Sequence, residues 1–227
     1  MSTFILMHGA GDSGWSWSLV ARELRAYGHD VFSPDLPADD ETLTLGDYAD
    51  SVVGLAGHRN DVVVVGHSFG GFTAPLVADK LKAEGLILLA AMIPVPGETV
   101  NDWWANTGFN DAVTKQAAID GGLTGHEDPY ISFYNDVPRH LADEALSRER
   151  AHPSSAASGQ TWPLIAWPAV PTRFVLFRDD RFFPADFFRA LVPKRLGIDP
   201  EEFSGGHCAM LSDPKGLAAL LQNDTVN

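Results

Sequence analysis

Cysteine is almost absent from this 227-residue chain: Cys208 stands alone, so no internal disulfide can form and no oxidising compartment is implied. Basic residues are also scarce. Sixteen Lys and Arg face thirty Asp and Glu, a formal charge of −14. A chain this short of clustered positive charge is poorly suited to phosphate backbones or anionic membrane surfaces. The same balance points to a neutral small-molecule partner rather than a highly anionic one. Long hydrophobic runs are missing as well. The opening MSTFILMHGAG has no basic lead, and its apolar run of four to five residues is too short for a signal peptide or a membrane span. A cytoplasmic location is the resulting expectation. The histidines do not pair at ligand spacings, and one cysteine cannot build a thiolate site. Neither a metal nor a cofactor is expected.

What the chain does have is alternation. Short apolar runs read as strands at Thr3–Gly9, His29–Asp35, Asp61–His67, Leu86–Ile93, Thr172–Arg178 and Glu201–Phe203. Between them lie helix-period segments. Trp17, Val20, Ala21 and Leu24 share one helical face, and Leu45, Tyr48, Val52 and Leu55 another. Further helices are predicted over Gly70–Ala83 and Ala185–Leu196, with a last one opened by Pro214 and capped by Ser212 or Asp213. Strand–helix alternation of this kind implies a mainly parallel sheet covered by helices on both faces.

One segment breaks the rhythm. From residue 94 to 171 there is no strand pattern, while Trp103-Trp104, the helical-looking His140–Arg150 and a Ser/Ala stretch at Ser154–Gly159 appear. A structureless loop of that length is uncommon. The segment reads as a mostly helical cap inserted into a core formed by 1–93 and 172–227, the two making a single structural unit.

The most informative stretch is VVVVGHSFGG, Val62–Gly71. Four β-branched residues favour a strand buried on both faces, and the glycines that follow allow a turn few other residues could make. A strand, Gly-x-Ser-x-Gly and a helix in immediate succession form the nucleophile-elbow pattern, which holds Ser68 at the apex of the turn. A serine hydroxyl needs a base. Of eight histidines, His8 and His67 belong to motif turns, His29 begins a strand, and His58 ends a helix. His126, His140 and His152 fall in the insertion. His207, in SGGHCAML, remains, on a loop after the last strand. The imidazole in turn needs a carboxylate, and the chain order Ser, acid, His points to Arg178-Asp179-Asp180-Arg181. Asp180 is the choice and Asp179 the alternative. A tetrahedral oxyanion needs two backbone N–H donors, and Phe69 and Ala10 are placed to supply them. His8 is expected to brace its own turn. Trp103, Trp104, Phe109, Phe133 and Tyr134 are candidates for an apolar pocket wall.

MHGAGDSGWSW, VGHSFGG and GGHCAMLSDP together resemble the α/β-hydrolase superfamily, and within it the branch of plant methylesterases and hydroxynitrile lyases. The resemblance spans essentially the whole chain and implies the α/β-hydrolase fold, here with a compact, mainly parallel six-stranded sheet plus cap. It also implies a triad of Ser68, Asp180 and His207 with Ala10 and Phe69 as oxyanion donors. Two positions depart from the lyase pattern: Gly9 stands where those enzymes carry threonine, and Cys208 where they carry the lysine that supports cyanide departure. The departures tilt the reading toward hydrolysis of a small neutral, apolar or aromatic carboxylic ester. A C–C hydrolase or lyase using the same triad is the rival enzyme, and a non-catalytic ligand-binding protein the rival from another class. A homodimer is compatible with the sequence.

Overall fold

The computed structural model describes residues 1–57, 59–150 and 153–223, so His58 and His152 lie outside the described residues. The chain opens with β1 (Thr3–Met7), α1 (Ser18–Ala26), β2 (Asp30–Phe32), α2 (Leu45–Ala56), β3 (Val62–His67), α3 (Gly70–Leu81) and β4 (Gly85–Leu89). It continues with α4 (Val100–Asn106), α5 (Phe109–Asp120), α6 (Pro129–Ser132), α7 (Arg139–Ser147) and α8 (Ser155–Gly159). It closes with β5 (Thr172–Phe177), α9 (Ala185–Leu196), β6 (Glu201–Phe203), α10 (Ala209–Ser212) and α11 (Pro214–Gln222).

The six strands form one sheet in the order β2-β1-β3-β4-β5-β6. Every pairing in it is parallel, where a mainly parallel sheet was expected. All residues of β1, β3 and β4 are buried. Such strands have no solvent face to alternate with, which is why they read as continuous apolar runs. The short edge strands β2 and β6 keep exposed positions.

Local chemistry sets several boundaries. Thr44 and Asp47 form a reciprocal capping box at the start of α2, satisfying two backbone donors that the first helical turn leaves open. Asp213, rather than Ser212, caps α11 by accepting the Gly216 N–H at 3.0 Å. Leu55 is exposed, so it lies off the buried face of α2. β4 stops at Leu89 although the apolar run continues to Ile93, because Ala90 turns the chain with φ +41°.

The chain runs from β1 outward to β2 and then returns to the other side of β1 as β3. This leaves a topological switch point at the C-terminal ends of β1 and β3, the place where open parallel sheets accommodate ligands. Between β4 and β5 every regular element among the described residues is a helix. These helices are stitched to the sheet-bearing part. Glu98 and Arg195 form a bidentate ion pair at 2.6 and 2.9 Å with side chains 1% and 9% exposed. The Trp162 indole donates to Phe72 O at 3.0 Å, and the Ser154 N–H donates to the Tyr48 hydroxyl at 2.9 Å.

Candidate active site

Ser68 follows β3 directly and adopts φ +52°, a left-handed conformation that L-residues rarely tolerate. Three backbone bonds hold it there. Its N–H donates to Leu89 O at 3.2 Å, and its carbonyl accepts from Gly71 and Met92 at 3.0 and 2.9 Å. The turn is too tight for side chains on either flank. A Cβ at Gly66 would lie 2.6 Å from Ala74 Cβ, and one at Gly71 only 1.9 Å from Met92 O. The turn after β1 presses against the same serine, since a Cβ at Gly9 would stand 2.9 Å from Ser68 Cβ. The switch point therefore brings Ser68 and the His8–Asp12 turn together.

His207 lies on the loop after β6. Its Nδ1–H donates to Asp180 Oδ2 at 2.8 Å, and both side chains are buried. The other Asp180 oxygen, Oδ1, accepts the Phe182 and Phe183 N–H groups at 2.8 and 2.9 Å, so the carboxylate is fixed from both ends. Asp179 faces elsewhere, accepting Gly205 N–H at 3.1 Å. With Nδ1 committed to Asp180, His207 Nε2 is the ring nitrogen left to act on a neighbour. No hydrogen bond ties Ser68 Oγ to a described residue; Ser68 and His207 line the same cavity of ≈ 600 Å³.

Ala10 and Phe69 also line this cavity. Neither the Ala10 nor the Phe69 N–H is spent on a hydrogen bond within the described backbone. His8 braces its loop as expected. The Leu36 N–H donates to its Nε2 at 2.9 Å, which makes Nδ1 the protonated nitrogen, donating to Gly9 O at 2.8 Å. Burial pushes the His8 pKa below the ordinary histidine value because the charged form would lose its hydration.

Of the five aromatic candidates, Trp104, Phe133 and Tyr134 line the cavity. Trp103 and Phe109 do not. Trp103 is fully buried, its indole donating to Ile93 O at 3.1 Å, and Phe109 packs against Trp103, Phe183 and Phe187. Successive helical positions diverge by about 100°, so adjacent tryptophans on α4 serve core and cavity separately.

Four residues were missed from sequence. Phe182 lines the cavity and meets the His207 ring edge-on at 5.3 Å. Asn135 Nδ2 donates to Asp179 O at 3.2 Å. Asp136 Oδ2 accepts Gly206 N–H at 2.8 Å and the Ser212 hydroxyl at 2.9 Å. One segment of the helical insertion thus clasps both the Asp180 and His207 loops. Asp12 is the fourth, an acidic residue lining the cavity. Its side chain was legible only as one more acid in a glycine-rich turn.

A family model described as the alpha/beta hydrolase family matches residues 4–220. The chain belongs to this family. Among alpha/beta hydrolases it is similar to a carbendazim hydrolyzing esterase of Nocardioides sp., 34% identical over 97% of this chain and 98% of that protein. It is also similar to methylesterase 7 of Arabidopsis thaliana, 25% identical over 96% and 94% of the two chains. Among solved structures, polyneuridine aldehyde esterase superposes with a TM-score of 0.80 at 19% identity, covering all of both chains. At that identity the likeness speaks for the alpha/beta hydrolase fold alone.

Proposed function

We propose that the protein is a serine esterase that cleaves a small carboxylic ester through an acyl-serine intermediate. The observation that carries this reading is the buried His207–Asp180 hydrogen bond, opening on the same cavity as a serine held in a left-handed turn. The esterase names of the relatives support the bond class.

In this reading Ser68 Oγ attacks the ester carbonyl carbon while His207 Nε2 takes its proton. Asp180 holds the imidazole in the required tautomer and stabilises the imidazolium. The oxyanion takes the N–H groups of Phe69 and Ala10, each such donor being worth about a hundred- to a thousand-fold in rate. His207 returns the proton to the leaving alcohol as the carbonyl–oxygen bond breaks. A water, deprotonated by His207, then releases the acid and restores Ser68. Trp104, Phe133, Tyr134 and Phe182 form an aromatic wall suited to an apolar or aromatic ester, and the insertion between β4 and β5 acts as the cap.

The test is p-nitrophenol release from acetate, butyrate and an aryl ester by the wild type and by Ser68→Ala. Turnover that falls by roughly a million-fold in kcat in the variant supports the reading. An inert wild type, or a variant as active as the wild type, overturns it.

A further inference from the structure

The cavity beside Ser68 has an unusual charge balance. The residues lining it include the acids Asp12, Glu127 and Glu149, and no lysine or arginine among the described residues. Asp12 is the one next to the chemistry. It lies on the turn after β1, two residues beyond Ala10, and Oδ1 accepts the Ser13 N–H at 2.7 Å. The His8 imidazole, the Ser13 N–H and the Ser16 hydroxyl favour its negative charge, and so does the His207 imidazole; only the two imidazoles could carry a positive charge. Neither is a free counter-ion. His8 is neutral, since one ring nitrogen accepts Leu36 N–H and the other donates to Gly9 O. His207 is already committed to Asp180.

A carboxylate without a full counter-ion, close to where an oxyanion forms, opposes the reaction of a substrate that brings nothing to balance it, because like charges repel strongly where water is sparse. The same group favours a substrate that brings a positive charge or an N–H donor into the cavity. Resting on the esterase reading of the site, we propose that Asp12 is a specificity-determining residue. It selects esters carrying a protonated nitrogen or N–H donor and disfavours esters carrying a second, free carboxylate. Burial holds the Asp12 carboxyl above the usual carboxylate range, as expected of an acid whose charge the protein leaves uncompensated. The excess of thirty acidic over sixteen basic residues in the whole chain biases the surrounding field the same way.

Three matched esters test this: methyl 4-(aminomethyl)benzoate, methyl 4-methylbenzoate and monomethyl terephthalate, respectively cationic, neutral and anionic at pH 7.5. Each is assayed with the wild type, Asp12→Asn and Asp12→Ser. Both replacements keep an oxygen able to accept the Ser13 N–H, so the turn is preserved while the charge is removed. Binding of benzylammonium and of benzoate is measured by calorimetry on the same proteins. The expected result is kcat/KM highest for the cation and lowest for the anion in the wild type. The cation-to-anion ratio should shrink by about tenfold in both variants, with a parallel change in the binding ratio. If esters are hydrolysed but that ratio is unchanged in the variants, the role of Asp12 is overturned and the esterase reading stands. If no ester is hydrolysed while the binding preference depends on Asp12, the esterase reading falls and the charge selection stands. Neither turnover nor charge dependence would remove both.

Discussion

His67 donates its Nε2–H to the carbonyl oxygen of His207 at 2.9 Å. The residue immediately before the elbow serine thus grips the backbone of the loop that carries His207. A carbonyl can only accept, so His67 carries its proton on Nε2, and the rings of the two histidines lie 4.6 Å apart. Replacement by Phe leaves a buried carbonyl without a donor, which costs about 1–3 kcal/mol. His67→Phe is therefore expected to lower stability by that amount in urea unfolding and to lower kcat more than it raises KM. His67→Gln, which keeps a donor, should retain more of both.

The left-handed backbone at Ser68 makes a second prediction. Both Ser68→Ala and Ser68→Gly should abolish ester turnover, but only glycine relieves the φ of +52°. Ser68→Gly should be the more stable of the two by about 1 kcal/mol, read as a difference in thermal or urea midpoint. Equal stability would place the strain elsewhere in the turn.

Burial holds the pKa of His67 well below the ordinary histidine value of 6.5, with the charge of His207 adding to the effect, and burial lowers that of His8 too. In the unfolded chain both titrate near 6.5. As pH falls through that value the unfolded state takes up protons the folded state refuses, so stability is lost on the acid side of about pH 6.5. Each histidine contributes a slope of up to about 1.4 kcal/mol per pH unit. Asp12 works in the opposite sense. Its raised folded pKa means that, as pH falls toward the ordinary carboxylate range, the folded state takes up a proton before the unfolded state does, so Asp12→Asn should steepen the acid loss at the low end of the range. Unfolding midpoints between pH 7.5 and 5 for the wild type, His67→Gln and Asp12→Asn measure these slopes.

The buried Glu98–Arg195 pair joins the start of the helical insertion to α9. Arg195 also donates to Ile93 O, and Glu98 accepts from Asn106 at 3.0 Å. Removing one partner strands a charge in the interior, at a cost of about 3–5 kcal/mol. Arg195→Met alone should destabilise by that amount, and the double variant Glu98→Leu with Arg195→Met by much less. The measurement is a denaturant double-mutant cycle.

How much of this was legible beforehand depended on range along the chain. The elbow is local: four valines, two flanking glycines and one helix lie within twenty residues, and chain order, together with the place of the other histidines in motif turns, element ends and the insertion, then singles out His207. The choice of Asp180 over Asp179 turned on one residue, and the hydrogen bond from His207 Nδ1 goes to Asp180. Trp103 and Trp104 could not be separated, because the insertion has no sheet periodicity to say which helix face is inward. The clasp of Asn135 and Asp136 on the two loops was invisible, since it spans 44 and 70 positions and uses residue types that ordinarily mark turns. Apolar content also overran β4, because hydrophobicity reports burial and not the φ of +41° at Ala90.

The chain leaves the sheet after Leu89 and rejoins it at Thr172, in the neighbouring strand. The entropy of closing a long excursion rises only logarithmically, so doubling its length costs about 0.6 kcal/mol. Lineages can therefore lengthen, shorten or rewrite the insertion that helps line the Ser68 cavity with little thermodynamic penalty while the sheet stays unchanged. The constraint is temporal: β4 and β5 cannot pair until the whole excursion has been gathered in, and such distant pairings fold slowly.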